Sequence, residues 1–238
     1  MSDQLNFSVH MPVLASGLVS ILAVPVSVSA AGPVSVRSEL GVVSDYRFRG
    51  ISLSDEQPAV QGGLTASLAT GLYGGLWAST IDETGPGEDG KGATVELDYT
   101  LGWAFQHGGY DIDVAASAYT YPGGHAVNYF ELPVSVSRSM EAWTWTLGGA
   151  YAPARQKALS RRDNIYGYGE VKWSAKQPDL SLVLRTGYEH GAFAPHGKWD
   201  WAATLGHDFG PVAGALTFVT SDDHASSDTL VASLVASF

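Results

Sequence analysis

The stretch VELDYTLGWAF, Val95 to Phe105, sets Val95, Leu97, Tyr99, Leu101, Trp103 and Phe105 against Glu96, Asp98, Thr100, Gly102 and Ala104. Successive side chains of an extended chain point to opposite sides, so this period of two reads as a strand with one apolar face and one polar or small face. At about ten residues it is long against the usual five or six.

The alternation returns along the chain. YDIDVAASAY, YFELPVSVS, AWTWTLGGAY, LSLVLRTGYE, WDWAATLGHDF and TLVASLVASF all repeat it. About twelve such segments fall on residues 34–45, 58–69, 71–81, 93–106, 109–121, 128–138, 142–152, 164–175, 179–190, 198–209, 211–221 and 228–238, and none carries a helical repeat. The second face decides the architecture. A soluble sandwich would turn a face rich in Lys and Glu to water, whereas these segments offer Gly, Ala, Ser, Thr and scattered acids. That composition suits a crowded barrel interior with the apolar face turned to lipid.

Aromatics gather near segment ends: Tyr46, Phe48, Tyr99, Trp103, Tyr119, Tyr121, Trp143, Trp173, Tyr188, Trp199 and Phe209. Their placement matches the interfacial girdles of membrane barrels. Connections alternate between long polar excursions (RFRGISLSDEQ, DETGPGEDGK, PGGHAVN, APARQKALSRRD, HGAFAPHGK, SDDHASSD) and tight turns (ATG, QHGG, RSMEA, AKQPD, FGP). The expectation is an all-β, antiparallel transmembrane barrel of about twelve strands, with short periplasmic turns and longer extracellular loops. Its last strand ends in Phe238, which resembles the signal read by the outer-membrane barrel assembly machinery.

Composition narrows the function classes. Among 238 residues, 13 Lys and Arg face 24 Asp and Glu, a formal net charge of -11. Nucleic-acid binding needs a basic footprint and is not expected. Cysteine is absent, which removes disulfides, thiolate metal sites and cysteine nucleophiles. From Met11 to Ala31 the chain is apolar and ends in small residues, with Val28-Ser29-Ala30 fitting a signal-peptidase site. Residues 1–30 are therefore expected to be a cleaved export signal and residues 31–238 the barrel, with the start at Met1 or Met11. The segment before the apolar run lacks Lys and Arg, a departure from the usual signal.

SDYRFRGISLSDEQPAVQGGL, GLYGGLWAST, VELDYTLGW, YTYPGG and NYFEL resemble, in that order, the blocks of the TorF family of proteobacterial porins. The likeness is specific in the first half and mainly one of strand rhythm from Met140 onward. It implies an outer-membrane location and a channel role, with no substrate and no catalytic residues.

Other chemistry finds little support in the residues. His190 and His196 share one loop, but no His-x3-His pair and no Cys partner accompany them. Glu88 and Asp89 in GEDGKG could bind calcium weakly. A lipid hydrolase would need a serine held by an oriented histidine. No Gly-x-Ser-x-Gly elbow is present, and His224-Ala225-Ser226-Ser227-Asp228 offers the residue types only in a loop. No enzyme activity and no cofactor are expected.

By alternation Glu39, Asp45, Glu96, Asp98, Asp111, Asp113, Glu131, Glu170, Asp200 and Asp208 point into the barrel, with Arg37, Lys172 and Arg185 beside them. Rings of acids favour cations. The alternative is that the acids pair with Arg and Tyr to plug the lumen. In SDYRFRGISLSD, Ser44 to Asp55, Arg47 and Arg49 share the inward parity and are expected to sit at the lumen mouth against the wall acids. Tyr46 and Phe48 share the outward parity and are expected at the lipid interface. The functional expectation is a passive, cation-preferring pore for small polar solutes or ions, anchored in outer-membrane lipid, with homo-oligomerisation open. Two rivals stand beside it: a non-conducting structural or adhesive barrel, and a soluble secreted β-sandwich that binds carbohydrate.

Overall fold

The computed structural model describes residues 34–85, 91–159, 161–175, 179–223 and 227–238. The expected export signal, the Glu88–Asp89 calcium reading and His224 lie outside the described residues.

Strands follow the alternation. They are β1 Val34–Val43, β2 Arg47–Phe48, β3 Ile51–Ser52, β4 Ala59–Leu68, β5 Leu72–Thr84, β6 Ala93–His107 and β7 Tyr110–Thr120. After a short 3-10 turn come β8 Tyr129–Met140, β9 Trp143–Ala152, β10 Asn164–Ser174, β11 Leu180–Gly191, β12 Lys198–Asp208, β13 Val212–Ser221 and β14 Thr229–Ser237. Twelve of them, β1 and β4 to β14, form one closed antiparallel barrel in which each strand pairs with its chain neighbour. β1 closes the ring by pairing with both β4 and β14. Closure leaves no open edge, as lipid requires, because an unpaired backbone group there costs several kcal/mol. The sandwich reading is set aside, since one ring of strands takes the place of two packed sheets.

The outer face is apolar. Leu101 is 69% exposed and Leu147 73% exposed, in the middle of β6 and β9. Burial in lipid is the physical account of such side chains. Tyr99, Trp103, Trp143, Tyr188, Trp199 and Phe209 are also exposed, as a girdle requires. Tyr46, Tyr119 and Tyr121 are not, at 1%, 3% and 8% exposure. Tyr119 and Tyr121 share the inward parity of Asp111 and Asp113, and Tyr46 follows the end of β1, where the alternation no longer applies. Phe48 is half-buried and meets the Tyr119 ring edge-on at 5.8 Å. Neither hairpin aromatic sits at the lipid interface.

All the tight turns lie at the end that carries Val34 and Phe238; the longer connections lie at the other. In the turn between β4 and β5, Gly71 has φ +89, and a Cβ there would stand 2.0 Å from the carbonyl oxygen of Ala104. Ala104 also donates its N–H to the Gly71 carbonyl at 3.0 Å, so the turn has no room to shift. Gly71→Ala is expected to lower stability by about 1–3 kcal/mol, read from urea unfolding of protein refolded in phospholipid vesicles. An unchanged midpoint would show that the turn relaxes.

Candidate functional site

Alternation builds the inner wall. Arg37 and Glu39 on β1, Glu96 and Asp98 on β6, Asp111 and Asp113 on β7, and Glu131 on β8 all fall on the inward positions. So do Glu170 and Lys172 on β10, Arg185 on β11, and Asp200 and Asp208 on β12. Between them tyrosines lie flat against the wall: a Cβ on Gly102, Gly148 or Gly187 would run into Tyr73, Tyr168 or Tyr166. Tyr73 donates to Asp113 at 3.0 Å. Arg185 stacks on Tyr168 at 3.8 Å and stands 3.7 Å from Glu170. Two charged wall residues escaped the sequence reading. Glu189 shares the parity of Arg185 and Lys198 that of Asp200, so the alternation that found the others could have found both.

The chain does not leave the barrel after β1. Residues 44–58 fold back inside, where β2 and β3 pair antiparallel with Arg47 opposite Ser52 and Phe48 opposite Ile51. Arg49 and Gly50 form the two-residue turn between them, at φ 50 and 86. Positive φ at both positions marks a type I′ turn, which prefers Asn-Gly or Gly-Gly. An arginine in the left-handed region costs roughly 1 kcal/mol or more.

The side chain of Arg49 accounts for its presence. Its guanidinium reaches Glu131 at 2.6 Å and Glu189 at 2.8 Å and lies 4.3 Å from the Tyr166 ring centroid. Lys198 donates to the Arg49 carbonyl at 2.8 Å and pairs with Glu189 at 2.9 Å. Burial pulls the Arg49 pKa down, but the carboxylates of Glu131 and Glu189 together push it well above its ordinary value, so it stays charged. Such pairs in a low-dielectric interior bind strongly once all partners are present.

The hairpin spans the lumen. On one side Asp82 of β5 donates its N–H to the Leu53 carbonyl at 2.7 Å; on the other, Arg49 holds Glu189 of β11. In ring order β5 and β11 are six strands apart out of twelve, hence on opposite walls. The tip rests on β12 and β13, where a Cβ on Gly50 would meet Asp200 at 3.2 Å and Ser221 at 2.8 Å. Aromatic packing completes the seat, with Tyr46 against Trp77 at 5.4 Å and Tyr119 stacked on Tyr129 at 4.6 Å.

The two arginines divide their work, contrary to the expectation that both would answer wall acids. Arg47 is 1% exposed and binds its own hairpin: Asp45 at 2.6 Å, Glu56 at 3.4 Å and the Gly50 carbonyl at 3.2 Å. It also donates to the Ser227 carbonyl at 2.7 Å. Asp45, expected on the wall, belongs to this hairpin too and accepts from Ser52 at 2.6 Å. Arg49 reaches the wall carboxylates Glu131 and Glu189.

The barrel is similar to that of the KdgM porin, with a TM-score of 0.59 and 7% identity over 86% of this chain and 99% of that one. It is similar to the NanC porin at a TM-score of 0.53 and 10% identity, over 85% and 98% of the two chains. A COG4313 outer membrane channel from Pseudomonas putida F1 matches at 0.52 and 11% identity, over 90% and 99%. These identities establish a shared fold, that of outer-membrane channel barrels. No curated protein matches the sequence. Residues 27–236 match a family model described as "Bacterial protein of unknown function (Gcw_chp)", and the chain belongs to the Gcw_chp family.

Proposed function

We propose that this chain is a passive outer-membrane channel for small polar solutes and ions, with the inward hairpin 44–58 as its constriction. One observation carries the reading: a closed barrel with an apolar exterior and a charged inner wall holds, across its lumen, a hairpin pinned by Arg49 to Glu131 and Glu189. The role is one of passage, with no chemical step and no cofactor. The TorF resemblance fits the same reading. So do an export signal in residues 1–30, recognition of the last strand by the assembly machinery, and an outward orientation of the long loops.

Charge gives the preference. The inner face sets Glu39, Glu96, Asp98, Asp111, Asp113, Glu131, Glu170, Glu189, Asp200 and Asp208 against Arg37, Lys172, Arg185 and Lys198. Arg47 and Arg49 of the hairpin do not close the gap. KdgM has been described in complex with disordered oligogalacturonate, an acidic saccharide; a wall with surplus carboxylates repels such polyanions and draws cations. Liposome swelling with sugars of graded size, followed by reversal potentials in a planar bilayer under a potassium chloride gradient, tests both parts. Swelling with cation-selective reversal is expected. Anion selectivity overturns the preference, and a barrel that passes neither sugar nor ion overturns the channel.

A further inference from the structure

Glu96 and Asp98 occupy consecutive inward positions of β6 and are 1% and 3% exposed. A buried carboxylate without a donor is costly, and such groups in native proteins have partners. Glu96 Oε1 accepts from the Tyr121 hydroxyl at 3.1 Å. Glu96 Oε2 and both oxygens of Asp98 have no hydrogen-bond partner among the described residues. Arg49 is engaged with Glu131 and Glu189, Lys198 with Glu189, and Arg47 with Asp45 and Glu56.

The surroundings are aromatic. The cross-strand neighbours of Asp98 are Trp77 on β5 and Tyr119 on β7. From the hairpin, Tyr46 packs on Trp77 at 5.4 Å. Its hydroxyl, on a residue 1% exposed, has no hydrogen-bond partner of normal geometry among the described residues; the Glu96 carboxyl is the acceptor it faces, with Asp98 also near. This second observation comes from a different element and points at the same place.

We propose that Glu96 and Asp98, walled by Trp77, Tyr119 and Tyr46, bind the ammonium group of an organic cation. Carboxylate oxygens accept its N–H bonds, and ring faces, electron-rich at their centres, attract the remaining positive surface. A bare metal ion would need several ligand side chains to converge, and no group of three metal-ligating side chains that could hold one occurs among the described residues. The rings, which a metal would not use, also favour an ammonium. Because Tyr46 roofs the site, entry requires the hairpin to lift. The proposal rests on the cation-preferring lumen and names the solute class that this part of it selects.

Isothermal titration calorimetry on the full chain refolded in detergent micelles tests it, with methylammonium chloride as probe and potassium chloride at equal ionic strength as comparison. Saturable binding of methylammonium is expected where potassium gives none. Asp98→Asn and Glu96→Gln should each weaken it at least tenfold and Trp77→Leu severalfold, while Glu141→Gln, in the exposed turn between β8 and β9, should leave it unchanged. Heat-modifiable gel mobility reports that each variant is folded; two carboxylate variants are included so that failure of one to fold leaves the other decisive. No saturable binding by the wild type, equal competition by potassium, or unchanged binding in the folded carboxylate variants overturns the site. Binding by a barrel that does not conduct keeps the site and sinks the channel, whereas conduction without binding does the reverse.

Discussion

Arg49→Asn is expected to raise single-channel conductance severalfold while the barrel stays folded. Asparagine is a preferred residue at the first central position of a type I′ turn, so the Arg49–Gly50 turn, with φ 50 and 86, loses its strain. The latch loses far more. Removing one partner of a buried ion pair costs roughly 3–5 kcal/mol, because it leaves charge uncompensated. Here the orphans are Glu131 and Glu189, which Arg49 holds at 2.6 and 2.8 Å. Lys198 still pairs with Glu189 at 2.9 Å, so the main penalty falls on Glu131. That penalty exceeds the relief at the turn, and the hairpin gives way rather than the twelve paired strands. Arg47→Ala should act differently, loosening the hairpin itself, since the partners of Arg47 include Asp45 and Glu56 within it. Planar-bilayer recording of wild type and Arg49→Asn separates the readings. A severalfold larger conductance in the variant identifies the hairpin as the constriction; equal conductance at unchanged gel mobility shows that the hairpin does not limit flow.

The second large effect concerns the exterior. Leu147→Arg should lower stability in phospholipid vesicles by about 2–4 kcal/mol, the cost of a cationic side chain on the lipid face near the bilayer midplane. Leu147 is 73% exposed in the middle of β9. Thr146→Arg, one residue earlier, enters the lumen opposite Glu170. It should change stability little and reduce cation preference. Urea unfolding in vesicles measures the pair. If Leu147→Arg unfolds at the wild-type midpoint, the outer face is not in lipid.

Most of the barrel was legible because strand alternation is a local property. Each expected segment overlaps one barrel strand, as residues 93–106 do with β6 Ala93–His107. The inward acids followed from the same parity, and Glu189 and Lys198 would have followed had it been carried to the strand ends. Where alternation stopped, the reading failed. Tyr46 lies beyond the end of β1 at Val43, so the parity of that strand, which points to lipid, does not govern it. Tyr119 and Tyr121 have the residue type and the strand-end position of a girdle, but their parity points inward, and both are buried.

The course of residues 44–58 had no such local signal. Arg49 meets partners 82 and 140 residues further along the chain, and nothing in RFRG says whether its arginines face solvent, each other or a distant wall. The left-handed backbone at Arg49 is likewise invisible until the hairpin is seen. By itself the sequence determined the strands, their number and which side of each meets lipid, because a period of two is written residue by residue. Only the tertiary structure decided that the first long loop turns inward and that one arginine latches it, while Glu96 Oε2 and both oxygens of Asp98 lack a hydrogen-bond partner among the described residues. Those relations arise when ring closure brings remote strands around one lumen.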